Sequence, residues 1–397
     1  MRKDLAAAVA LIVLVSYGPL QDAAGQSSPA SPRPDSSVSA ETLDDWVSTG
    51  ITLLLGMQEG DDQAEWPYEG VYRVREAGRP IIPIGYRVGG TGIVASALLH
   101  APGYVEDDAR RAAVERAVRF ITTSIDHPLM RHDEIPGTYD VRGWGYTYGL
   151  QFLLDLARAE MIPNGLTERV RHAIRFFIDG IVATEIPRSG GWNYSRRGGF
   201  SEPGATSPFM TAPTLQALFL AVELGHDVDP DIIARGLTSL ENARNASGAY
   251  VYAGRADNRT QVPGSVARMT ASETTLLLAG RGDVSRVRAT VDAFIVHWDW
   301  LDQRRAQTGT HVAPYGVAPY YFYFGHYYAA QAIEQLPPRE REEYRRRLAL
   351  LLDHVRLEDG SWNDRVFPRS ANYGTAMAIM TAIMKDVPAP PTWTAAE

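Results

Sequence analysis

The chain reads as an all-α protein, a closed ring of six helical hairpins, and three observations carry that reading. First, six small-residue turns ending in an aromatic each lead into a long apolar helical stretch. The turns are Glu65-Trp66-Pro67-Tyr68, Gly137-Thr138-Tyr139, Gly190-Gly191-Trp192-Asn193-Tyr194, Gly248-Ala249-Tyr250-Val251-Tyr252, Pro314-Tyr315-Gly316 and Asp359-Gly360-Ser361-Trp362. Second, the helical stretches open near residues 89, 144, 207, 265, 319 and 372, at steps of 53 to 63 residues. A period of that size marks a repeat architecture. Third, the helices alternate in kind, one half-solvated and the next nearly free of charge.

The half-solvated helices come first in each repeat. Leu166, Val170, Ile174, Phe177, Ile178 and Ile181 recur at three- and four-residue steps with Arg169, Arg171, Arg175 and Asp179 between them. That is one apolar stripe against a wet face. Residues 341–355 repeat the design with Tyr344, Leu348, Leu351, Leu352 and Val355, and segments 43–58, 107–123, 229–243 and 284–300 are weaker copies. The alternate helices, such as 213–222 and 371–380, carry almost no charge, as burial on most sides requires. An open solenoid would keep its concave face polar. Charge-poor inner helices and the count of six favour closure of the ring. No β-strand alternation is present beyond a short extended Tyr250-Val251-Tyr252.

At the N-terminus Arg2 and Lys3 precede an apolar run from Leu5 to Val15, with small residues Ala23-Ala24-Gly25 beyond it. This pattern predicts a signal peptide over 1–25. A Ser/Pro-rich linker follows over 26–41, the helical domain spans 42–386, and 387–397 is a Pro-rich tail. The expected location is exported, periplasmic or secreted, with no integral membrane segment after signal cleavage. The chain has no cysteine, which excludes a disulfide framework. A net charge of −8 and a pI near 5.7 argue against a nucleic-acid partner, which needs a basic face. Of 39 basic residues all but Lys3 and Lys385 are arginine, a bias scattered over the wet faces.

The turn-helix units resemble those of the terpenoid cyclase and protein prenyltransferase superfamily. Leu348 to Trp362 followed by Tyr373-Gly374-Thr375-Ala376-Met377-Ala378 is similar to the squalene-cyclase "QW" repeat, and Met57-Gln58-Glu59-Gly60 up to Trp66 is a looser copy. The aromatic stretch from Tyr320 to Ala332 is similar to the inner helix of exported bacterial proteins with prenyltransferase and squalene-oxidase repeats. The resemblance covers residues 42–386 and implies an (α/α)6 toroid. It does not carry the chemistry. The Asp-x-Asp-Asp acid of class II triterpene cyclases is absent, and Trp298-Asp299-Trp300-Leu301-Asp302 lies at an outer helix end instead. An Asp-Asp-x-x-Asp diphosphate site is missing, and without cysteine the prenyltransferase zinc site cannot form.

The expected function is therefore a cyclase/prenyltransferase-like exported protein holding a small apolar or amphipathic ligand in its central cavity. The alternatives are a carbohydrate-active enzyme, either polysaccharide lyase or glycosidase, and a non-catalytic scaffold for another exported protein. Candidate catalytic residues are Glu273, His326 and Asp140. Glu273 is the one charge in an otherwise uncharged stretch after Arg268, where desolvation of a carboxylate raises its pKa unless it is paired. His326 lies among tyrosines and Asp140 precedes an inner helix. Candidate ligand-binding residues are Trp144, Tyr146, Arg268, Tyr320, Tyr323 and Tyr327; the competing reading of these rings is that they fill the core. Gly90-x-Gly92-x-x-Ala95 mimics a dinucleotide loop without the surrounding βαβ pattern, so no cofactor is expected. Nine scattered histidines have no ligand spacing, so no metal is expected either.

Overall fold

The computed structural model describes residues 37–133, 141–194 and 204–394. Thirteen α-helices account for most of them. The outer helices are α1 (Ala40–Gly56), α3 (Asp108–Ser124), α5 (Thr167–Thr184), α7 (Pro230–Ala243), α9 (Val284–Val296) with the short α10 (Trp298–Asp302), and α12 (Pro338–Asp353). The inner helices are α2 (Ile84–His100), α4 (Arg142–Arg158), α6 (Pro208–Glu223), α8 (Val266–Leu278), α11 (Tyr321–Ile333) and α13 (Ala371–Ile383). Each inner helix packs on the next, from α2 through α4, α6, α8 and α11 to α13, and α13 packs back on α2. The ring closes, and the fold is an (α/α)6 toroid. One small antiparallel hairpin, Val74–Glu76 with Arg79–Ile81, is inserted before α2.

The alternation of helix character follows from this placement. In α6, thirteen of the first fourteen residues after Pro208 are buried to solvent, and α13 is buried along nearly its whole length. In α12 only Leu348, Leu351 and Leu352 are. The two kinds also differ at their starts. Ser39, Asp107, Asp229 and Asp283 cap outer helices through side-chain oxygens. No inner helix has a side-chain cap.

Three of the aromatic turns, those built on tryptophan, make the same two hydrogen bonds. The indole Nε1 of Trp66, Trp192 and Trp362 donates to the carbonyl of Leu54, Ile181 and Leu352 at 2.7, 2.8 and 3.0 Å, near the end of the preceding outer helix. The backbone N–H of the same tryptophans donates to the hydroxyl of Thr91, Thr211 and Thr375, just inside the next inner helix, at 2.9, 3.0 and 3.1 Å. Tyr250 makes the second bond to Ser265 Oγ at 2.6 Å. One residue thus ties an outer helix to its inner partner while burying a large ring. The close approach also explains two glycines. A Cβ on Gly90 would lie 2.5 Å from the Trp66 carbonyl oxygen, and one on Gly374 would lie 2.2 Å from that of Trp362.

Residues 387–394 do not hang free of the ring. Trp393 is buried, stacks on Phe219 with ring centroids 6.1 Å apart, and donates its backbone N–H to the Leu278 carbonyl at 3.0 Å. They cross the C-terminal ends of inner helices α6 and α8. No helix among the described residues is long and apolar enough to cross a membrane.

Candidate functional site: an aromatic cup over a buried acid

The inner helices all begin at one end of the ring, and the turns that precede them converge there. In three turns the residue two places after the anchoring aromatic is a tyrosine: Tyr68, Tyr194 and Tyr252. These three line a cup together with Tyr86, Trp144, Phe209 and Tyr373 from the first turns of α2, α4, α6 and α13, and Tyr320 from the residue before α11. Val71, Tyr72, Thr310, His311 and Arg365 complete its lining. The cup encloses about 550 Å3 counting its open mouth. Its floor is packed ring on ring. Tyr68 lies 4.8 Å from Tyr373 and 5.2 Å from Trp144 between centroids, and Trp144 lies 5.1 Å from Tyr148.

In the sixth turn the position two after the tryptophan is Asp364, not tyrosine. Its carboxyl is fully buried, and neither oxygen has a hydrogen-bond partner among the described residues. The loop itself holds it there. The Arg365 backbone N–H donates to Asn363 Oδ1 at 2.9 Å, Asn363 Nδ2 donates to the Phe367 carbonyl at 3.0 Å, and the Ala306 N–H donates to the Asp364 carbonyl at 2.9 Å. An ionised carboxylate in such a place is costly, so the group keeps its proton instead. Burial pushes the Asp364 carboxyl up to about 7, against the opposing pull of the Arg365 and Arg305 charges. The Tyr68 and Tyr373 hydroxyls feel the same charge, and burial raises both phenols.

Arg365 is the one charged side chain in the cup lining. It is 5% exposed, and its Nη1 has no hydrogen-bond partner. Its guanidinium lies over the Phe367 ring at 5.7 Å. At the rim His311 shows one edge to solvent and packs its other against Tyr252 at 4.3 Å. His311 Nδ1 contacts the Gly316 carbonyl at 2.9 Å, and a carbonyl only accepts, so Nδ1 carries the hydrogen. Nε2 is then the acceptor for the Tyr320 hydroxyl at 3.0 Å.

The sequence candidates divide sharply. Trp144 and Tyr320 line the cup. Tyr146 does not: it points outward, donates to the Met130 carbonyl, and packs on Phe176 and Phe177 of α5. Tyr323 is fully buried outside the cup lining, against Phe322 and His326. Tyr327 lines a separate, smaller cavity near the opposite end of the inner helices, with Gln151, Asp155 and Met380. Arg268 is buried in the wall, donates to the Tyr250 carbonyl at 3.0 and 3.2 Å, and lies 4.8 Å above the Tyr321 ring. Asp140 lies outside the described residues.

Glu273 and His326 are held by the fold. Glu273 Oε1 accepts from Arg244 Nη1 at 2.8 Å and from the Tyr250 hydroxyl at 2.9 Å. His326 is fully buried; Trp298 Nε1 donates to its Nε2 at 2.9 Å, and its Nδ1–H donates to the Phe322 carbonyl at 2.8 Å. Both ring nitrogens are occupied in the neutral form, and burial lowers its pKa to about 4. Neither residue lines the cup. Among the described residues no group of three acidic or histidine side chains is arranged to hold a metal.

Sequence reasoning missed Asp364 and Arg365. The signal was the offset itself, since a turn repeat that puts tyrosine two residues past its anchor puts an acid there once.

No family model matches the chain, and no curated protein matches it. Its likeness is to solved structures, and it is distant. An α-1,6-mannanase of Salegentibacter sp. HEL1_6, solved with α-1,6-mannotriose, aligns over 86% of this chain and 99% of its own at 9% identity and a TM-score of 0.56. An unsaturated glucuronyl hydrolase of Bacillus sp. GL1, described as responsible for the degradation of glycosaminoglycan, aligns over 89% of this chain and 98% of its own at 13% identity and a TM-score of 0.56. A type II terpene cyclase from Scytonema aligns at 11% identity, over 87% of this chain and 98% of its own, with a TM-score of only 0.46, which carries no argument. Identities this low establish a shared architecture and nothing finer: the chain is an (α/α)6 toroid of the kind these glycosidases use.

Proposed function

We propose that the chain is a carbohydrate-active enzyme of the glycosidase kind, with its sugar seated in the aromatic cup and Asp364 as the proton donor. The observation that carries this reading is the pairing of a tyrosine-rich cup with a buried, unpartnered carboxyl in the turn beside it. Aromatic faces stack on the C–H faces of sugar rings, while phenol and imidazole edges supply hydrogen bonds that an isoprenoid cannot use. An acid whose pKa lies near neutrality is matched to protonating a leaving glycosidic oxygen. The sugar stacks at the mouth on Tyr252 and Tyr320, two cup tyrosines that keep exposed surface. Tyr68 lines the cup, its hydroxyl lacks a partner, and it lies in the field of Asp364. The fold neighbours support the reading because two of them act on sugars; they do not fix a substrate.

The test is a panel of oligosaccharides incubated with the purified chain, with new reducing ends as the readout, run beside isoprenoid and polycyclic ligands in a thermal-shift assay. New reducing ends that disappear with Asp364→Asn support the reading. Stabilisation by isoprenoids alone, with no sugar bound or cut, would return the cup to an apolar ligand.

A further inference from the structure

The electrostatics of the cup narrow the kind of sugar it takes. The one charged side chain in its lining and the helix ends around it have the same sign. Arg365 is the sole charged residue in its lining, and no carboxylate lines it among the described residues. Arg365 is 5% exposed, its Nη1 is unpartnered, and no ion pair holds it among the described residues. A buried guanidinium without a counter-ion is unfavourable unless an anion completes it. The inner helices bring their N-termini to this end, and none of the six carries a side-chain cap. Residues of the first turns of α2, α4, α6 and α13 are themselves in the cup lining. Helix starts carry partial positive charge from the aligned peptide dipoles. A neutral ligand would leave this arrangement unanswered.

We propose that the cup is built for an anionic sugar, whose carboxylate or sulfate is taken by the Arg365 guanidinium at the converging N-termini of the inner helices. This rests on the carbohydrate reading above and deepens it. A guanidinium offers a planar fork of donors that matches either oxyanion. The stacking surface of Tyr252 and Tyr320 holds the ring, and Arg365 selects its charge.

Asp364 makes this recognition depend on pH. It is faced by Arg365 from its own loop, Arg305 from the segment after α10, Tyr68 from the turn after α1, Tyr323 from α11 and Tyr373 from α13. The arginines are charged and the tyrosines neutral throughout the range of interest, so Asp364 is the member that titrates. With its proton on, Arg365 has no internal competitor. Once it ionises, a carboxylate beside Arg365 both offsets the cation and repels the incoming anion. Affinity for an anionic sugar therefore falls as pH rises through about 7.

Calorimetric titration of the full mature chain with three tetrasaccharides tests this: an oligouronate, a sulfated oligosaccharide and a neutral manno-oligosaccharide. At pH 6 the oligouronate or the sulfated sugar should bind about tenfold or more tighter than the neutral one, and the better of the two names the oxyanion. Arg365→Gln should bring the anionic sugar down towards the neutral level, weakening it by a far larger factor than the neutral sugar. Arg365→Lys, which keeps the charge, should recover part of the loss. Asp364→Asn should hold affinity at its pH 6 value up to pH 8. Equal binding of all three sugars, unaltered by Arg365→Gln, overturns the anion inference and leaves the sugar reading standing. Binding of none of the three overturns both. If the variants misfold, the comparison of anionic with neutral sugar on the native chain still decides.

Discussion

Glu273 and Asp364 are both buried carboxylates on the inner side of the ring, and the protein treats them in opposite ways. Glu273 sits mid-helix on α8, with Arg244 and the Tyr250 hydroxyl both on Oε1. It ties an inner helix to the end of α7 and the fourth aromatic turn. Asp364 sits in the sixth turn with no partner on either oxygen, and its carboxyl is driven towards neutral pH. The paired acid is architecture. The unpaired one is a proton held ready beside a cup, which is how perturbed groups at functional sites are arranged. His326 belongs with Glu273, being buried and bonded on both nitrogens.

The comparison can be broken at several points, the largest effect first. Asp364 has a folded pKa of about 7, above its ordinary value of 3.8, so the folded state holds the proton more tightly. Its contribution is present below about pH 4 and is lost as pH rises to 7, by up to about 4 kcal/mol. Asp364→Asn should therefore be more stable than the native chain at pH 8 and match it near pH 4, as read by urea unfolding at both values. Glu273→Ala should do the reverse, losing about 3 kcal/mol at pH 7 because Arg244 is left without its partner. Equal behaviour of the two variants would dissolve the distinction.

His326 sharpens the same point from the acid side. Its folded pKa is about 4 against an ordinary 6.5, so its contribution is present above 6.5 and lost as pH falls to 4, by up to about 3 kcal/mol. His326→Asn should flatten the pH slope of stability in that window, whatever its effect at pH 7. The smallest change is Tyr320→Phe, which removes the bond to His311 and should cost about 1 kcal/mol or less. It should weaken sugar binding measurably and leave the melting temperature nearly unmoved.

Much of the ring was legible because repeats are written in period and in charge, and both survive without a structure. The inner helices begin at residues 84, 142, 208, 266, 321 and 371, within a few residues of the sequence expectation. The site was less legible, for reasons of geometry. Tyr320 and Tyr327 are seven residues apart, about 10 Å along a helix axis, so one reaches the cup and the other a different cavity. Tyr323, between them, faces the packed wall. Tyr146 is two residues from Trp144, and that step of about 200° around the axis turns it outward. Glu273 drew notice because a charge in an apolar helix is conspicuous. Asp364 did not, because an acid in a polar loop, between Asn363 and Arg365, reads as solvated until the fold buries it. The conspicuous charge proved to be the one paired with an arginine.

Asp364, and not Glu273, is the proposed proton donor of this toroid. Parallel turnover measurements on folded Asp364→Asn and Glu273→Gln, using the oligosaccharide that the native chain cuts fastest, address it directly. The account predicts a loss of roughly a hundredfold or more for Asp364→Asn with sugar binding kept at pH 6, and near-native turnover for Glu273→Gln. Native turnover by Asp364→Asn, with Glu273→Gln inactive though folded, would contradict it.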